Sequence, residues 1–271
     1  MSEVRATDRP ILLVGCGKMG GALLAGWRER GVAPGYVVVE PEASAVRAPE
    51  VSWHAAPAGL APDFSPAAIV FAVKPQSLGD VAPHYRQFSG RSAFLSIAAG
   101  KTLGFFARML GADAATVRAM PNTPAAIGRG ISVACAGARV GAAERALCGR
   151  LLEAVGEVAW VENEGLLDAV TAVSGSGPAY VFLLIECLAK AGVAAGLPEE
   201  LATRLARATV AGSGELARLS PDSAARLREA VTSPGGTTRA ALDVLMAPGG
   251  LEKLLLEAVA AATRRSRELA D

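Results

Sequence analysis

The sequence has 271 residues, with 27 basic and 26 acidic side chains and a formal net charge of +1. Because the two signs are balanced along the chain, nothing indicates a nucleic acid or a membrane surface as partner. A hydrophobic content of 51% is enough for a sizeable core and predicts a globular protein. The four cysteines are widely separated without C-x-x-C spacing, which argues against a disulfide framework or a metal site and favours the cytoplasm.

The first half of the chain contains short apolar runs that end in glycines or turns. They predict four buried strands, in "ILLVG" (11–15), "YVVVE" (36–40), "AAIVFAV" (67–73) and "SAFLSIA" (92–98). Helical spacing separates them, as in "GALLAGWRERG" (21–31). Continuous rather than alternating apolar strands are typical of a parallel sheet covered on both faces, so we expect a doubly wound α/β domain.

After about residue 163 the strand signals stop and helical patterns take over. We therefore expect an α/β domain over residues 1–163 and an all-α domain over residues 164–271. The most apolar helical run, "AYVFLLIECLAKAG" (179–192), is too short to cross a bilayer and contains Glu186, so we interpret it as a buried helix. The polar N-terminus has none of the basic-then-apolar layout of a signal peptide.

The motif "GCGKMGG" (15–21) contains the G-x-G-x-x-G pattern at Gly15, Gly17 and Gly20. Such glycines permit a tight turn, close approach of a diphosphate and packing of helix on strand. The alternative is a merely structural glycine turn, but this pattern follows a predicted strand and opens a helix. We predict that the turn, including Lys18 and Met19, binds NADH or NADPH in a Rossmann domain.

Glu40 ends the second predicted strand, at the position where a carboxylate accepts hydrogen bonds from the adenosine ribose hydroxyls. It would repel the 2′-phosphate of NADP, so Glu40 favours NADH. The alternative is a surface glutamate before Pro41, and Arg47 is near enough in sequence to complicate this preference.

Two further turns follow predicted strands at the edge where ligands bind. The first, "AVKPQ" (72–76), contains Ala72, Val73, Lys74 and Pro75. A solvated lysine in a plain strand-ending turn is the alternative for Lys74. The second, "SIAAG" (96–100), has small residues that could pass under a nicotinamide ring.

The side chains available in the second half bear on the type of reaction. Reduction of a carbonyl usually needs a proton donor, most often His, Lys or Tyr. Both histidines, His54 and His84, lie in the first half, and the lysines of the second half, Lys190 and Lys253, lie outside its glycine-rich loops. A protonated imine needs no external acid, because its nitrogen already carries the proton. Positioning groups would then suffice, and the loop Ser233 to Thr238 offers hydroxyls and N–H groups at a predicted helix start.

Together the motifs resemble those of the pyrroline-5-carboxylate reductases, which make proline. The segment "AVTSPGGTTRAAL" (230–242) is similar to that family's C-terminal signature, and "GCGKMG", "AVKPQ", "SIAAG", "RAMPNTPA" and "DAVTAVSGSGPAYVF" match family motifs in order. The resemblance covers residues 10 to 269. It implies reduction of 1-pyrroline-5-carboxylate to L-proline by NAD(P)H, in a dimer formed by the helical domains that often assembles further into a decamer.

The resemblance also implies roles for particular residues. Gly235, Gly236 and Thr237 would bind the substrate carboxylate through backbone N–H groups, with help from Ser233. The Thr238 hydroxyl would hydrogen-bond the ring nitrogen as the catalytic contact, and Pro178 would shape the pocket. Residues expected to line the cofactor are Ala72, Lys74, Ala98, Met120, Pro121 and Asn122.

The sequence departs from the family pattern on the adenosine side. Many members have an asparagine after the third strand, and His54 is the available substitute here. Many also have small polar or Asn-Arg residues after the second strand, where this chain has Glu40-Pro41. Two other functions stay open: a related cyclic-imine or β-hydroxyacid reductase, and a non-catalytic dinucleotide-binding sensor. The absence of a placed lysine or histidine as proton donor counts against a β-hydroxyacid reductase. A sensor would leave the loop Ser233 to Thr238 unexplained.

Overall fold

The computed structural model of the protein describes residues 6–42 and 48–269. The chain forms two compact units, one comprising residues up to Gly175 together with those from Ala262, and the other comprising Ser176–Ala261. Arg47 lies outside the described residues.

The first unit is built on an eight-stranded sheet. Its strands are β1 (Ile11–Val14), β2 (Tyr36–Val39), β3 (Val51–His54), β4 (Ala68–Phe71), β5 (Ala93–Ser96), β6 (Ala115–Met120), β7 (Gly130–Ala136) and β8 (Gly156–Trp160). They lie in the order β3-β2-β1-β4-β5-β6-β7-β8. Strands from β3 to β6 are parallel, β6 and β7 are antiparallel, and β7 and β8 are again parallel. The predicted α/β fold is confirmed, with one antiparallel pair that the sequence did not reveal.

Helices cover both faces of this sheet. Consecutive strand residues point to opposite faces, and both sets are buried. Leu13 and Val70 belong to one buried cluster with Trp27, whereas Leu12 and Phe71 belong to another. The helices of this unit are α1 (Lys18–Glu29), α2 (Leu78–Val81), α3 (Leu103–Leu110), α4 (Ala142–Glu153) and α5 (Leu166–Val170). A single π-helical turn, Thr171–Gly175, follows α5 directly.

The second unit is entirely helical within its described residues. Its helices are α6 (Gly177–Ala194), α7 (Glu199–Leu219), α8 (Ala224–Ala230), α9 (Thr237–Leu245) and α10 (Leu251–Glu268), whose last turns belong to the first unit. Helices α6 and α7 pack together, with Ala202 and Ala206 buried. The small size of Gly192 permits this contact, since a Cβ there would lie 3.1 Å from the Ala202 Cβ.

The expectation of a buried helix over residues 179–192 is wrong for the isolated chain. No residue of α6 is buried, and Phe182 is 59% exposed. The estimate of its length was also too short, because helical structure continues from Leu166 to Ala194. That stretch is long and apolar enough to cross a membrane by length and composition alone, a weak criterion that core helices also meet.

Candidate active site

The glycine-rich turn after β1 folds tightly because two of its glycines leave no room for a side chain. Gly15 has a φ of +88°, and a Cβ on it would lie 2.7 Å from Val73 Cγ1. A Cβ on Gly20 would lie 3.2 Å from Ala72 Cβ and closer still to the Gly15 carbonyl oxygen. No atom of the described residues lies within 4 Å of the position of a Cβ on Gly17. The backbone at Gly17 therefore borders open space.

Helix α1 begins at this turn with its first N–H groups free of side-chain caps. Gly17 is the N-cap residue, no side-chain cap bonds to the backbone there, and the first turn contains no acidic residue. The free N–H groups and the positive end of the helix dipole favour an anion at this position. The turn thus fits the diphosphate of a dinucleotide.

The Glu40 carboxylate lies directly beside the glycine turn. The backbone N–H of Cys16 donates a hydrogen bond to its Oε2 over 2.7 Å, and that of Glu42 donates to its Oε1 over 3.3 Å. Burial, and secondarily the Glu40 charge, raise the pKa of the Cys16 thiol. Two backbone donors therefore hold the carboxylate in place at the end of β2.

A cavity of about 590 Å³ lies over the carboxyl ends of β1, β2 and β4. Six predicted cofactor residues line it: Gly15, Gly17, Glu40, Ala72, Val73 and Lys74. Its other lining residues are Val14, Val39, Pro41, Glu42, Ala55, Ala56, Pro57, Ser77, Asp80, Val81, His84 and Tyr85. None of these had a predicted role in the site. Asp80 lies in α2, and Ser77 and His84 flank it three and four residues away, so this polar spacing was the available signal.

The remaining predicted cofactor residues do not line that cavity, but they share its edge of the sheet. They are Lys18, Met19 and Gly20 in α1, Pro75 after β4, Ala98 after β5, and Met120, Pro121 and Asn122 at the end of β6. Carboxyl ends of parallel strands meet at one edge, so all these turns lie in the row where α/β proteins bind ligands. His54 is not among the cavity-lining residues either, and its ring packs against Gly59.

An ion pair connects β6, which ends at Met120, to neighbouring segments. The Arg118 guanidinium, on β6, lies 2.5 Å from Glu164 Oε1, and the same oxygen accepts a hydrogen bond from the Leu103 N–H at 2.7 Å. Arg118 is only 9% exposed, whereas the Glu164 side chain is 30% exposed, so this contact is partly shielded from solvent. The pair ties β6 to the start of α3 and to the segment before α5.

The loop Ser233 to Thr238 lies in the helical unit and forms a turn followed by a helix start. Gly235 has a φ of +69°, and the Gly236 N–H donates to the Ser233 carbonyl over 3.1 Å. A Cβ on Gly236 would overlap the Ser233 hydroxyl, so this position accepts only glycine without rearrangement. Thr237 and Thr238 open α9, for which Gly236 is an N-cap without a side-chain cap bond.

The loop thus presents hydroxyls beside the start of α9, where no side chain caps the backbone, a set suited to a carboxylate. Pro178 lies on a different element, in the first turn of α6. Among the described residues, no cluster of three His, Cys, Asp or Glu side chains is arranged to hold a metal ion.

The sheet order, the glycine turn and the carboxylate after β2 define a dinucleotide-binding protein of the Rossmann class. A family model described as pyrroline-5-carboxylate reductase dimerisation matches residues 164–269. The pyrroline-5-carboxylate reductase of Pseudomonas aeruginosa is 38% identical over 268 residues, which cover 96% of this chain and 97% of the relative. The chain belongs to the pyrroline-5-carboxylate reductase family.

Solved structures of pyrroline-5-carboxylate reductases are similar to this chain over nearly its full length. A pyrroline-5-carboxylate reductase from Coxiella burnetii has a TM-score of 0.87 at 30% identity, covering 98% of this chain and all of that one. A pyrroline carboxylate reductase from Plasmodium falciparum, solved with NADP bound, has a TM-score of 0.84 at 27% identity and covers 99% of this chain and all of that one.

Proposed function

We propose that this protein reduces 1-pyrroline-5-carboxylate to L-proline with NADH or NADPH, the last step of proline biosynthesis. The observation that carries the proposal is an intact glycine turn and an intact Ser233–Thr238 loop in one chain of this family. The glycine turn fits a dinucleotide diphosphate, as the open space at Gly17 and the uncapped start of α1 indicate.

The cofactor would lie along the carboxyl edge of the sheet. Its adenosine half would occupy the 590 Å³ cavity, and its nicotinamide half would extend towards Ala98 and the Met120–Asn122 turn. Glu40 would accept hydrogen bonds from the ribose hydroxyls. Of the described residues that line the cavity, three carry carboxylates, Glu40, Glu42 and Asp80, against one ammonium group, that of Lys74, so their net charge is negative and would disfavour a 2′-phosphate. This charge supports a preference for NADH.

The substrate carboxylate would bind at the start of α9. The N–H groups of Gly235, Gly236 and Thr237 would bind it at the positive end of the helix dipole. The Gly236 N–H donates to the Ser233 carbonyl over 3.1 Å in the free chain, so it would have to share or exchange that bond. The Ser233 hydroxyl lies against Gly236. The Thr238 hydroxyl would then hold the ring nitrogen, while Pro178 would bound the pocket. This assignment depends on the family resemblance, which the geometry of the loop supports.

The chemistry requires little from the protein beyond orientation. Bound NAD(P)H supplies a hydride to the imine carbon. The protonated imine nitrogen becomes a neutral amine, so no side chain has to donate a proton in that step. The Thr238 hydroxyl would orient the nitrogen, and the backbone N–H groups would fix the ring by its carboxylate.

We also propose a homodimer formed by the helical domain, residues 164–271, in the cytoplasm, and further assembly to a decamer. Large apolar side chains of α6, α7 and α10 are exposed in the single chain, including Phe182, Leu219 and Leu256 at 59%, 65% and 66%. An exposed apolar surface of this extent marks a protein interface. The description of the matching family model, dimerisation, supports the same assignment.

The direct test is steady-state oxidation of NADH and NADPH, in parallel, with purified protein and 1-pyrroline-5-carboxylate, and with the product identified by chromatography. We expect proline with both cofactors and a larger kcat/KM with NADH. Cofactor binding without turnover would instead support a reductase for another cyclic imine or a dinucleotide sensor.

A further inference from the structure

The π-helical turn Thr171–Gly175 interrupts the helical stretch between α5 and α6, and a bend at Ser176 follows it. Such π-helical turns are rare, and they are frequently found at functional sites. Both ends of β6 and the turn belong to the same compact unit. Two separate contacts join the turn to the end of β6.

The first contact is a hydrogen bond to Asn122. The Asn122 Oδ1 accepts a hydrogen bond from the Ile131 N–H at 3.0 Å, which fixes the orientation of the amide. Its Nδ2 then donates to the Ser174 hydroxyl at 3.3 Å. Asn122 and Ser174 are both half-buried, so competition from water is reduced. The Asn122 side chain is thus held between the start of β7 and the π-turn.

The second contact is steric and involves Met120. A Cβ built on Gly175 would overlap the Met120 methyl group, which therefore occupies the space that a side chain at residue 175 would take. Any larger residue at 175 would push the Met120 side chain aside. The π-turn therefore contacts both residues, the Asn122 amide through a hydrogen bond and the Met120 methyl group through packing.

We propose that the π-turn is a positioning element for the nicotinamide side of the cofactor, with Ser174 and Gly175 as the positioning residues. Ser174 acts through the Asn122 amide and Gly175 acts through the Met120 side chain. This inference rests on the proposed function, in which Met120 and Asn122 border the nicotinamide. It adds two residues that need not touch cofactor or substrate themselves.

Thr171 provides a matched control in the same turn. Its hydroxyl donates to the Leu167 carbonyl of its own helix at 2.7 Å. Thr171→Val and Ser174→Ala each remove one hydroxyl from the π-turn, but only Ser174→Ala removes the contact with Asn122. Ser174→Thr retains a hydroxyl and serves as the conservative variant.

The first readout is steady-state turnover. Loss of one hydrogen bond corresponds to roughly a three- to ten-fold effect, so we expect Ser174→Ala to lower kcat by about that factor. The KM for NADH should change less than two-fold, because the adenosine cavity is unaffected. Ser174→Thr should recover most of the activity, and Thr171→Val should match the wild type. Equal kcat losses in Ser174→Ala and Thr171→Val, or none in either, would overturn the inference.

The second readout does not require turnover. The fluorescence of bound NADH reports how rigidly the reduced nicotinamide ring is held, and we expect Ser174→Ala to reduce its enhancement relative to both the wild type and Thr171→Val. If the wild type binds NADH but does not reduce 1-pyrroline-5-carboxylate, the proposed function fails and this comparison still decides the role of the turn. Identical enhancement in all three proteins, or no NADH binding by the wild type, would refute that role.

Gly175→Ala tests the steric contact independently. It should lower kcat as the added methyl displaces Met120, and Met120→Ala in the same chain should restore part of the loss because the shorter side chain leaves room. Thermal unfolding of each variant separates a change in position from a loss of fold. Additive effects of the two substitutions on kcat would contradict the proposed contact.

Discussion

At the scale of single residues, Glu40 has the placement that bears most directly on cofactor choice. Its two oxygens accept hydrogen bonds from different backbone N–H groups, and it borders the cavity proposed for the adenosine. A hydrogen bond to a charged group contributes about 1.5–3 kcal/mol. A carboxylate fixed in this way would bind ribose hydroxyls and disfavour a phosphate.

We therefore expect Glu40→Ser to lower kcat/KM for NADH roughly ten-fold and to raise it for NADPH. Glu42→Gln is the matched control, because Glu42 lines the same cavity but is not assigned to the ribose, and it should shift the ratio less. Both cofactors are compared in steady-state assays. If the ratio of kcat/KM for NADH to kcat/KM for NADPH is unchanged in Glu40→Ser, this carboxylate does not bind the ribose hydroxyls.

Thr238 is the residue proposed to contact the reacting ring. Thr238→Ala should lower kcat about ten- to hundred-fold and leave the dissociation constant of NADH nearly unchanged, since one contact in the transition state is lost. Thr237→Ala keeps the backbone N–H that is proposed to bind the carboxylate, so its kinetics should stay close to the wild type. A comparable loss of cofactor binding in Thr238→Ala would contradict the assignment.

At this scale the sequence predicted residues that line the 590 Å³ cavity only where chemistry and motif coincide. Gly15, Gly17 and Glu40 were predictable because the turn, the strand end and the carboxylate form a known spacing. Tyr85 was not, since a buried aromatic beside Phe71 looks like any core residue. The sequence offers His54 as a polar substitute for the family's asparagine, but in the fold its ring lies against Gly59.

At the scale of elements, the packing of α1 on the glycine turn depends on Gly20 but not on its neighbour Gly21. A Cβ on Gly20 would press on backbone, whereas one on Gly21 would come no nearer than 4.0 Å to the Cys16 carbonyl oxygen. The two positions are therefore a matched pair within one helix.

We expect Gly20→Ala to destabilise the protein by about 1–3 kcal/mol and to weaken NADH binding, because the turn must move. Gly21→Ala should be neutral or stabilising by up to about 1 kcal/mol, since alanine favours helix and no atom obstructs it. Chemical denaturation and cofactor titration of both variants provide the comparison. Equal stability of the two variants would refute the packing argument.

Elements with long apolar runs were predicted well, and short or irregular ones were not. β1 and β4 are fully buried strands and were evident. β3, with the sequence "VSWH", has four residues of mixed polarity at the sheet edge, too few for a period to be recognised. The π-turn left no trace in the hydrophobic pattern, because its backbone differs from an α-helix only in hydrogen bonding.

At the scale of the whole molecule, the apolar surface of the helical unit is the main feature that one chain leaves unexplained. The apolar run of α6 predicts burial, but a sequence does not distinguish burial within a chain from burial between chains. The domain boundary at residue 163 stays a prediction, since the compact units divide at Gly175 while the family model begins at residue 164.

We expect Phe182→Glu to dissociate the oligomer, because a charge would enter an apolar interface. Ile127 is 77% exposed but lies in the dinucleotide-binding unit, so Ile127→Glu should leave the assembly intact. Analytical ultracentrifugation at several concentrations reports the mass, and circular dichroism checks that helices persist. A wild type that is monomeric at all concentrations would contradict the proposed homodimer.

The central claim is hydride transfer from the nicotinamide ring to the imine carbon of 1-pyrroline-5-carboxylate. The most direct measurement uses NADH deuterated on one or the other face of the nicotinamide C4, with mass spectrometry of the proline formed. We predict proline that carries one deuterium with one labelled cofactor and none with the other. Unlabelled proline from both cofactors, or no proline, would contradict the account.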